Sequence, residues 1–315
     1  MRVRLLVSYH YHRTTDLAAL VDDFGGDVDL FADSGAYSAA TTGATIHLAD
    51  YAAWLADWAP LFTVRSGLDV IGDHEATARN TAALRDLGAD VIPVFHVGEP
   101  WAELESLCAT NPYVALGGMA LHAVGAAKQK PLMRWLVRCF RTAQPHGTRF
   151  HGFGMTSAQL VRHLPFYSVD SSSYTLGIRW GLAYLWNAPA LRMESVLFRN
   201  PDHVRPHADL FRLHGLDPAA VVRPDFMRAG TPAFTEQRVS VGAACSRAYA
   251  LMERSLIARH RVPPPDLPRC DDPGTKVYLA MGGETDRPLL LGLLDPATPS
   301  PPPPPVRTPE RDTTA

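Results

Sequence analysis

Between Arg4 and Val169 the chain alternates short apolar runs of strand length with stretches of helical periodicity, and almost nothing interrupts the pattern. Strand-like runs occupy Arg4–His10, Val28–Ala32, Thr63–Val70, Val91–Val97, Tyr113–Leu116, Phe150–Phe153 and Phe166–Val169. Helical spacing fills the gaps: from Thr14 to Val21, Leu48 to Trp58, Glu75 to Leu87 (stopped by Gly88), Pro100 to Leu107, Pro131 to Thr142, and Thr156 to Leu164, capped by Thr156 or Ser157. Seven strands alternating with helices in about 170 residues require long crossovers, so the strands must run parallel with helices on the outside. The number favours a closed α/β (β/α)8 TIM barrel over residues 1–200 rather than an open sheet. Either Ser195–Phe198 or Lys276–Ala280 supplies the eighth strand. Residues 201–292 read as a mainly helical, Arg-rich extension that contributes the last strand in the second case. Its last helix presents Ala248, Leu251, Met252, Ser255 and Leu256 on one face, and Pro263–Pro268 is a stiff connector. Residues 293–315, with the run Pro299–Pro305, read as a disordered tail.

Composition excludes several classes of protein. At 46% hydrophobic residues and a net charge of −2 the chain has a full core and is no polybasic or acidic tail protein. Cys108, Cys139, Cys245 and Cys270 are too scattered for a zinc knuckle or a disulfide framework, which implies no metal, no cofactor and a reducing cytoplasmic setting. No basic-then-apolar leader opens the chain, and no apolar run approaches the roughly 20 residues that a membrane helix needs. The charge is nevertheless uneven. Residues 1–105 carry sixteen acids against six Lys or Arg, and residues 106–265 carry eight against nineteen. A basic half of this kind suits a polyanion, although surface charge also drifts along any chain.

In a (β/α)8 barrel the residues at the C-terminal ends of the strands converge on one mouth. Here those are Asp33, Asp69, His96, Gly117, Gly118, Gly154 and Asp170. Asp170 is the only acid between Ser106 and Met193, among many Lys and Arg. Each residue has an ordinary reading: Asp33-Ser34-Gly35 as an Asx turn, Asp69 and Asp170 as caps, His96 as a core histidine, the glycines as tight bends. Their shared position at successive strand ends favours chemistry at an anomeric carbon, where one carboxylate traps an oxocarbenium-like centre and a second carboxyl group moves the proton.

The segments FADSGAYS, SGLDV, VFHVGEPWAEL, YVALGGM and HGFGMTSAQLVRHLPFYSVDSSS, in this order across residues 28–175, resemble the queuine tRNA-ribosyltransferase (tRNA-guanine transglycosylase) superfamily, whose fold is a (β/α)8 barrel. The resemblance implies replacement of guanine in a polynucleotide by a 7-deazaguanine. It makes Asp170 the nucleophile at C1′ and Asp33 the general acid/base. Asp69, His96, Gly117, Gly118, Met119, Ser34 and Gly154 become contacts to the base. His96 stands where the tRNA enzymes have Gln in VQGG, and DSSSYTLGIR replaces their DCVLPTR. The CxCxxC-plus-His zinc site of the tRNA enzymes has no counterpart here. The missing zinc site and the altered segment after Asp170 resemble the zinc-free 7-deazaguanine DNA transglycosylases of bacterial and phage DNA-modification clusters, which implies a cytoplasmic enzyme of a bacterium or phage-infected host. DNA is then the expected partner and preQ0 (7-cyano-7-deazaguanine) the type of incoming base, with Arg134, Arg138, Arg141 and Arg179 holding phosphates and partner proteins as candidates for opening the duplex. A zinc-free tRNA enzyme and a non-catalytic nucleic-acid-binding subunit are the alternatives.

Overall fold

A computed structural model describes residues 2–119 and 126–294 of the chain. Eight strands form one parallel sheet: β1 (Val3–Ser8), β2 (Val28–Asp33), β3 (Phe62–Arg65), β4 (Val94–His96), β5 (Tyr113–Gly117), β6 (Arg149–Gly152), β7 (Ser168–Ser171) and β10 (Lys276–Met281). β8 (Leu182–Asn187) and β9 (Arg192–Leu197) make a separate antiparallel hairpin. Within the large sheet the order is β3-β2-β1-β10-β7-β6-β5-β4. Its two edges meet at a parallel bridge between Ser66 and Ile92, where Gly67 N–H donates to Ile92 O (2.9 Å) and Ile92 N–H to Arg65 O (2.8 Å). The parallel sheet therefore curls round until its two edges meet through this one bridge, a TIM-barrel-like α/β fold.

The eighth strand is Lys276–Met281, paired with β7 on one side and β1 on the other. Ser195 and its neighbours instead pair with Leu182–Asn187, on the outside. That hairpin leans on the 27-residue helix Phe234–His260, with Tyr184 N–H donating to Cys245 Sγ (3.4 Å). Helical segments fill most of 201–260, and the barrel draws its last strand from the same 201–292 stretch. Residues 295–315, which include most of the expected tail, lie outside the described residues.

The barrel is filled rather than hollow. Leu6, Phe31, Val64, Ile92, Val94, Tyr113, Ala115 and Tyr278 form one buried cluster, separate from the layer between strands and helices. Rings from β2, β6 and β10 meet across the axis: Phe31 lies 4.4 Å from His151 and 5.4 Å from Tyr278, centroid to centroid. Below them the N-terminal end holds buried charge. Arg4 pairs with Asp29 and donates Nε–H to Glu253 Oε2 (3.0 Å), and the same oxygen accepts from Val277 N–H (2.7 Å). Burial opposes charge on Arg4, but Glu253 and Asp29 outweigh it and hold the guanidinium above its usual range. Glu253 thus ties the long helix to the start of β10. Glu253→Ala is expected to destabilise the fold by about 3 kcal/mol, because it strips one partner from a buried charge network. Urea unfolding measures this, and a change within experimental error would mean that Asp29 and Asp272 suffice for Arg4.

Two expected boundaries move, with consequences for the site. β3 ends at Arg65, not at Val70. The segment after it is held by side chains: Tyr51 OH donates to Ser66 O (2.8 Å) and Asn80 Nδ2–H to Leu68 O (3.0 Å). Asp69 therefore sits in a loop above the rim rather than at the end of a strand. The helix expected over Thr156–Leu164 covers only Ala158–Val161; Ser157 is its N-cap residue, but its side chain makes no capping bond.

Candidate active site

The mouth brings together the three carboxylates expected there. Asp33 ends β2. Its Oδ2 accepts from Gly35 N–H (2.9 Å) and its Oδ1 from Ser66 Oγ–H (3.2 Å). The first bond is an Asx turn, so the ordinary reading of Asp-Ser-Gly holds as well, and it is this turn that aims the carboxyl group. Burial pushes the Asp33 carboxyl up to about 7, and the neighbouring charges of Asp69 and Asp170 push the same way. Asp33 thus holds its proton near neutral pH beside two further acids.

Asp170 lies on β7, one residue before its end. Its Oδ1 accepts twice, from Gly154 N–H (2.9 Å) and from His151 Nε2 (3.2 Å). Gly154 follows β6 with φ +62°, a left-handed conformation that suits glycine and turns its N–H toward the carboxylate. No hydrogen bond to Asp170 Oδ2 occurs among the described residues, and the side chain keeps 10% of its surface open. One oxygen is anchored and the other is available, as a nucleophile requires.

Asp69 forms the third corner. Its Oδ1 accepts from Ser34 Oγ–H (3.4 Å) and its Oδ2 from His96 Nε2–H (2.9 Å), while His96 Nδ1–H donates to Glu99 Oε1 (2.9 Å). Burial opposes charge on His96, but the hydrogen bonds and charges of Asp69 and Glu99 outweigh it and raise the imidazole to about 9. His96 is then an imidazolium with both N–H groups committed to carboxylates. It orients Asp69 rather than offering a donor to a ligand. Gly117 is required beneath it: a Cβ there would come within 2.6 Å of His96 Cδ2. Gly118 follows with φ +74° and is exposed at the rim.

Other expected contacts scatter. Met119 is fully buried in the apolar layer between strands and helices, so it does not face the mouth. The basic residues of the helix Ala126–Ala143 do not form one surface at the rim. Arg138 lies over the Trp101 ring (3.9 Å), Arg134 is exposed, and Arg141 lines a cavity with Thr148 and Arg149, at the N-terminal end of β6 and thus on the far side of the barrel. A helix that follows a strand runs back down the barrel, which carries its last turn away from the mouth. Arg179 is exposed in the last turn of the helix Ser173–Trp180 that follows Asp170.

Sequence reasoning overlooked two features. One is the chain of groups behind Asp170: His151, Ser168 and Tyr113, all buried. The period-two alternation of β6 was the available signal, since it places His151 on the inner face with the ladder leading to the rim. The other is apolar. Tyr11, Tyr37, Val70, Ile71, Leu176 and Trp180 are exposed, and all lie on segments that follow barrel strands at their C-terminal ends. Trp180 is 74% exposed beside Arg179. Among the described residues no group of three or more His, Cys, Asp or Glu side chains is arranged to hold a metal ion, and no helix is long and apolar enough to cross a membrane.

No family model, curated protein or solved structure matches this chain.

Proposed function

We propose that the chain is a DNA-guanine transglycosylase, a pentosyltransferase that replaces guanine in DNA with a 7-deazaguanine of the preQ0 type. The observation that carries the reading is the division of roles at the mouth: Asp33 is kept protonated to about pH 7 beside Asp170, whose second oxygen is open. A carboxyl group that keeps its proton, beside a carboxylate with a free oxygen, supplies the acid and the nucleophile of glycosyl chemistry. Asp170 Oδ2 attacks C1′ of the nucleotide. The bond from C1′ to the base nitrogen breaks, its electron pair leaves with guanine, and Asp33 supplies the proton. The incoming 7-deazaguanine then gives its ring proton to Asp33, attacks C1′ and expels Asp170 as a carboxylate. Asp69, held in place by His96, accepts from the N1–H and exocyclic amine of either base.

The target base in a duplex must leave its stack to reach these groups. The exposed Arg179 and the exposed aromatic side chains on segments that follow barrel strands support such a substrate, because cations hold the backbone and aromatic faces stack on bases freed from pairing. Incorporation of radiolabelled guanine into duplex DNA, single-stranded DNA and bulk tRNA tests the reading. Label is expected in DNA and to fall steeply as salt rises. Label in tRNA alone would move the chain to RNA, and label in no polymer would overturn transglycosylation.

A further inference from the structure

We infer that His151 is a positioning residue: locked in one tautomer by Ser168 and Tyr113, it holds Asp170 Oδ1 so that only Oδ2 is free to attack. The inference rests on Asp170 being the nucleophile of the proposed reaction. It starts from a run of hydrogen bonds entirely inside the barrel. His151 Nε2 lies 3.2 Å from Asp170 Oδ1, His151 Nδ1 is bonded to Ser168 Oγ, and Ser168 Oγ is bonded to Tyr113 OH. His151 and Ser168 are 0% exposed and Tyr113 is 1% exposed, so bulk water does not compete for these bonds.

The direction of the chain follows from its ends. Asp170 at the upper end can only accept, so a neutral His151 must carry its proton on Nε2 and leave Nδ1 as an acceptor. Ser168 then donates to Nδ1, and its oxygen is left to accept from Tyr113. Burial raises the Tyr113 phenol well above its ordinary value, which keeps it a donor. Ser168 both donates and accepts, and every donor points toward Asp170. The opposite direction would set an unprotonated imidazole nitrogen against a carboxylate and leave Tyr113 OH donating to nothing among the described residues.

The ring itself cannot turn to another use. Phe31 (4.4 Å), Phe153 (4.6 Å) and Tyr278 (6.3 Å) surround it, centroid to centroid, and offer no polar edge to its carbons. Together with Gly154 N–H, His151 gives Oδ1 two donors from fixed directions. During the covalent step Oδ2 forms the bond to the anomeric carbon while the bond to the base breaks, and Oδ1 becomes the carbonyl oxygen of the ester. That oxygen retains both hydrogen bonds, so no proton moves through His151 and the carboxyl group need not rotate.

Two measurements on the full chain test this separately from the reaction. In the ligand-free protein labelled with nitrogen-15, the His151 imidazole, identified by the signals lost in His151→Gln, is expected as the Nε2–H tautomer at pH 7.5. An Nδ1–H tautomer or a doubly protonated ring would overturn the inference. The second measurement is exchange of radiolabelled guanine in duplex DNA. His151→Phe is expected to lower kcat by about 10²-fold with KM unchanged, since the carboxyl group is then free to turn from the line of attack. His151→Gln, which keeps an amide N–H near the Nε2 position, is expected to recover most of that loss. Tyr113→Phe, which deletes only the far hydroxyl, is expected to give a smaller loss, also confined to kcat. Equal losses in His151→Phe and His151→Gln, or a loss confined to KM, would overturn the inference. If the wild-type chain exchanges no base while His151 is the Nε2–H tautomer, the proposed reaction fails and the hydrogen-bonded arrangement behind Asp170 stands.

Discussion

Asp170→Asn is expected to abolish base exchange, by on the order of 10⁴-fold or more, while leaving the fold and the affinity for DNA nearly intact. The reason lies in how the two carboxylate oxygens are used. Both hydrogen bonds from the protein, from Gly154 N–H and His151 Nε2, end on Oδ1. An asparagine can keep its carbonyl oxygen there and place its amide nitrogen where Oδ2 was. The variant thus loses the attacking lone pair and a charge but no internal bond. Its melting temperature should stay within a few degrees of the parent. The parent, denatured during turnover without an incoming base, should carry the DNA strand covalently on the peptide containing Asp170; the variant should carry none. There is a second consequence. The Asp170 charge is one of the influences that raise Asp33, so in the variant Asp33 should ionise at a lower pH than about 7. An Asp170→Asn protein that still exchanged bases at a tenth of the parental rate would assign the nucleophile elsewhere.

The barrel was legible because its strands are buried on both faces and read as apolar runs, and helices with clear periodicity separate them. Asp33, His96, Gly117 and Asp170 could be placed at one rim from strand order alone. What could not be read was anything decided by pairing across the fold. Ser195–Phe198 and Lys276–Ala280 are equally strand-like in isolation. The choice between them depends on Leu279 and Met281 lying beside Leu5 and Val7, residues more than 270 positions away in the chain. Glu253 looks like any polar position in an Arg-rich helix until Arg4 and the start of β10 are brought to it. His151 lay inside a segment already singled out. Its role nevertheless depends on Ser168 and Tyr113, from two other strands, standing next to it. Arg141, in the last turn of its helix, lies apart from the mouth for a geometric reason: residues spaced along one face of a helix lie at different heights on the barrel. Met119, two residues past the end of β5, is carried by the turn at Gly118 into the apolar layer.

Asp33→Asn is expected to separate the proton's chemical role from its structural one, since the same raised pKa governs both. The unfolded chain ionises this carboxyl near 3.8, and the folded protein holds the proton to about 7, because burial and two neighbouring acids disfavour a third charge. The folded value is the higher one. The stabilisation that comes from keeping Asp33 neutral is therefore fully present below about pH 4, is lost as pH rises toward 7, and is gone above it. Asparagine is neutral throughout. The variant should accordingly gain stability relative to the parent as pH rises from 5 to 7.5, by a few kcal/mol at most, with no further gain beyond. Urea unfolding across that range measures it, and a difference that does not change with pH would mean that Asp33 is ionised in the fold. Activity should move in the opposite direction. Exchange by the parent should fall on the alkaline side of about pH 7 as the acid is lost, and Asp33→Asn should be slower by about 10²- to 10⁴-fold with that alkaline limb removed. DNA containing 7-methylguanine supplies the internal control, since this base is already cationic and leaves without a proton. Release of 7-methylguanine should be nearly as fast in Asp33→Asn as in the parent. If both bases leave equally slowly from the variant, Asp33 orders the mouth through Gly35 and Ser66 and does not deliver the proton.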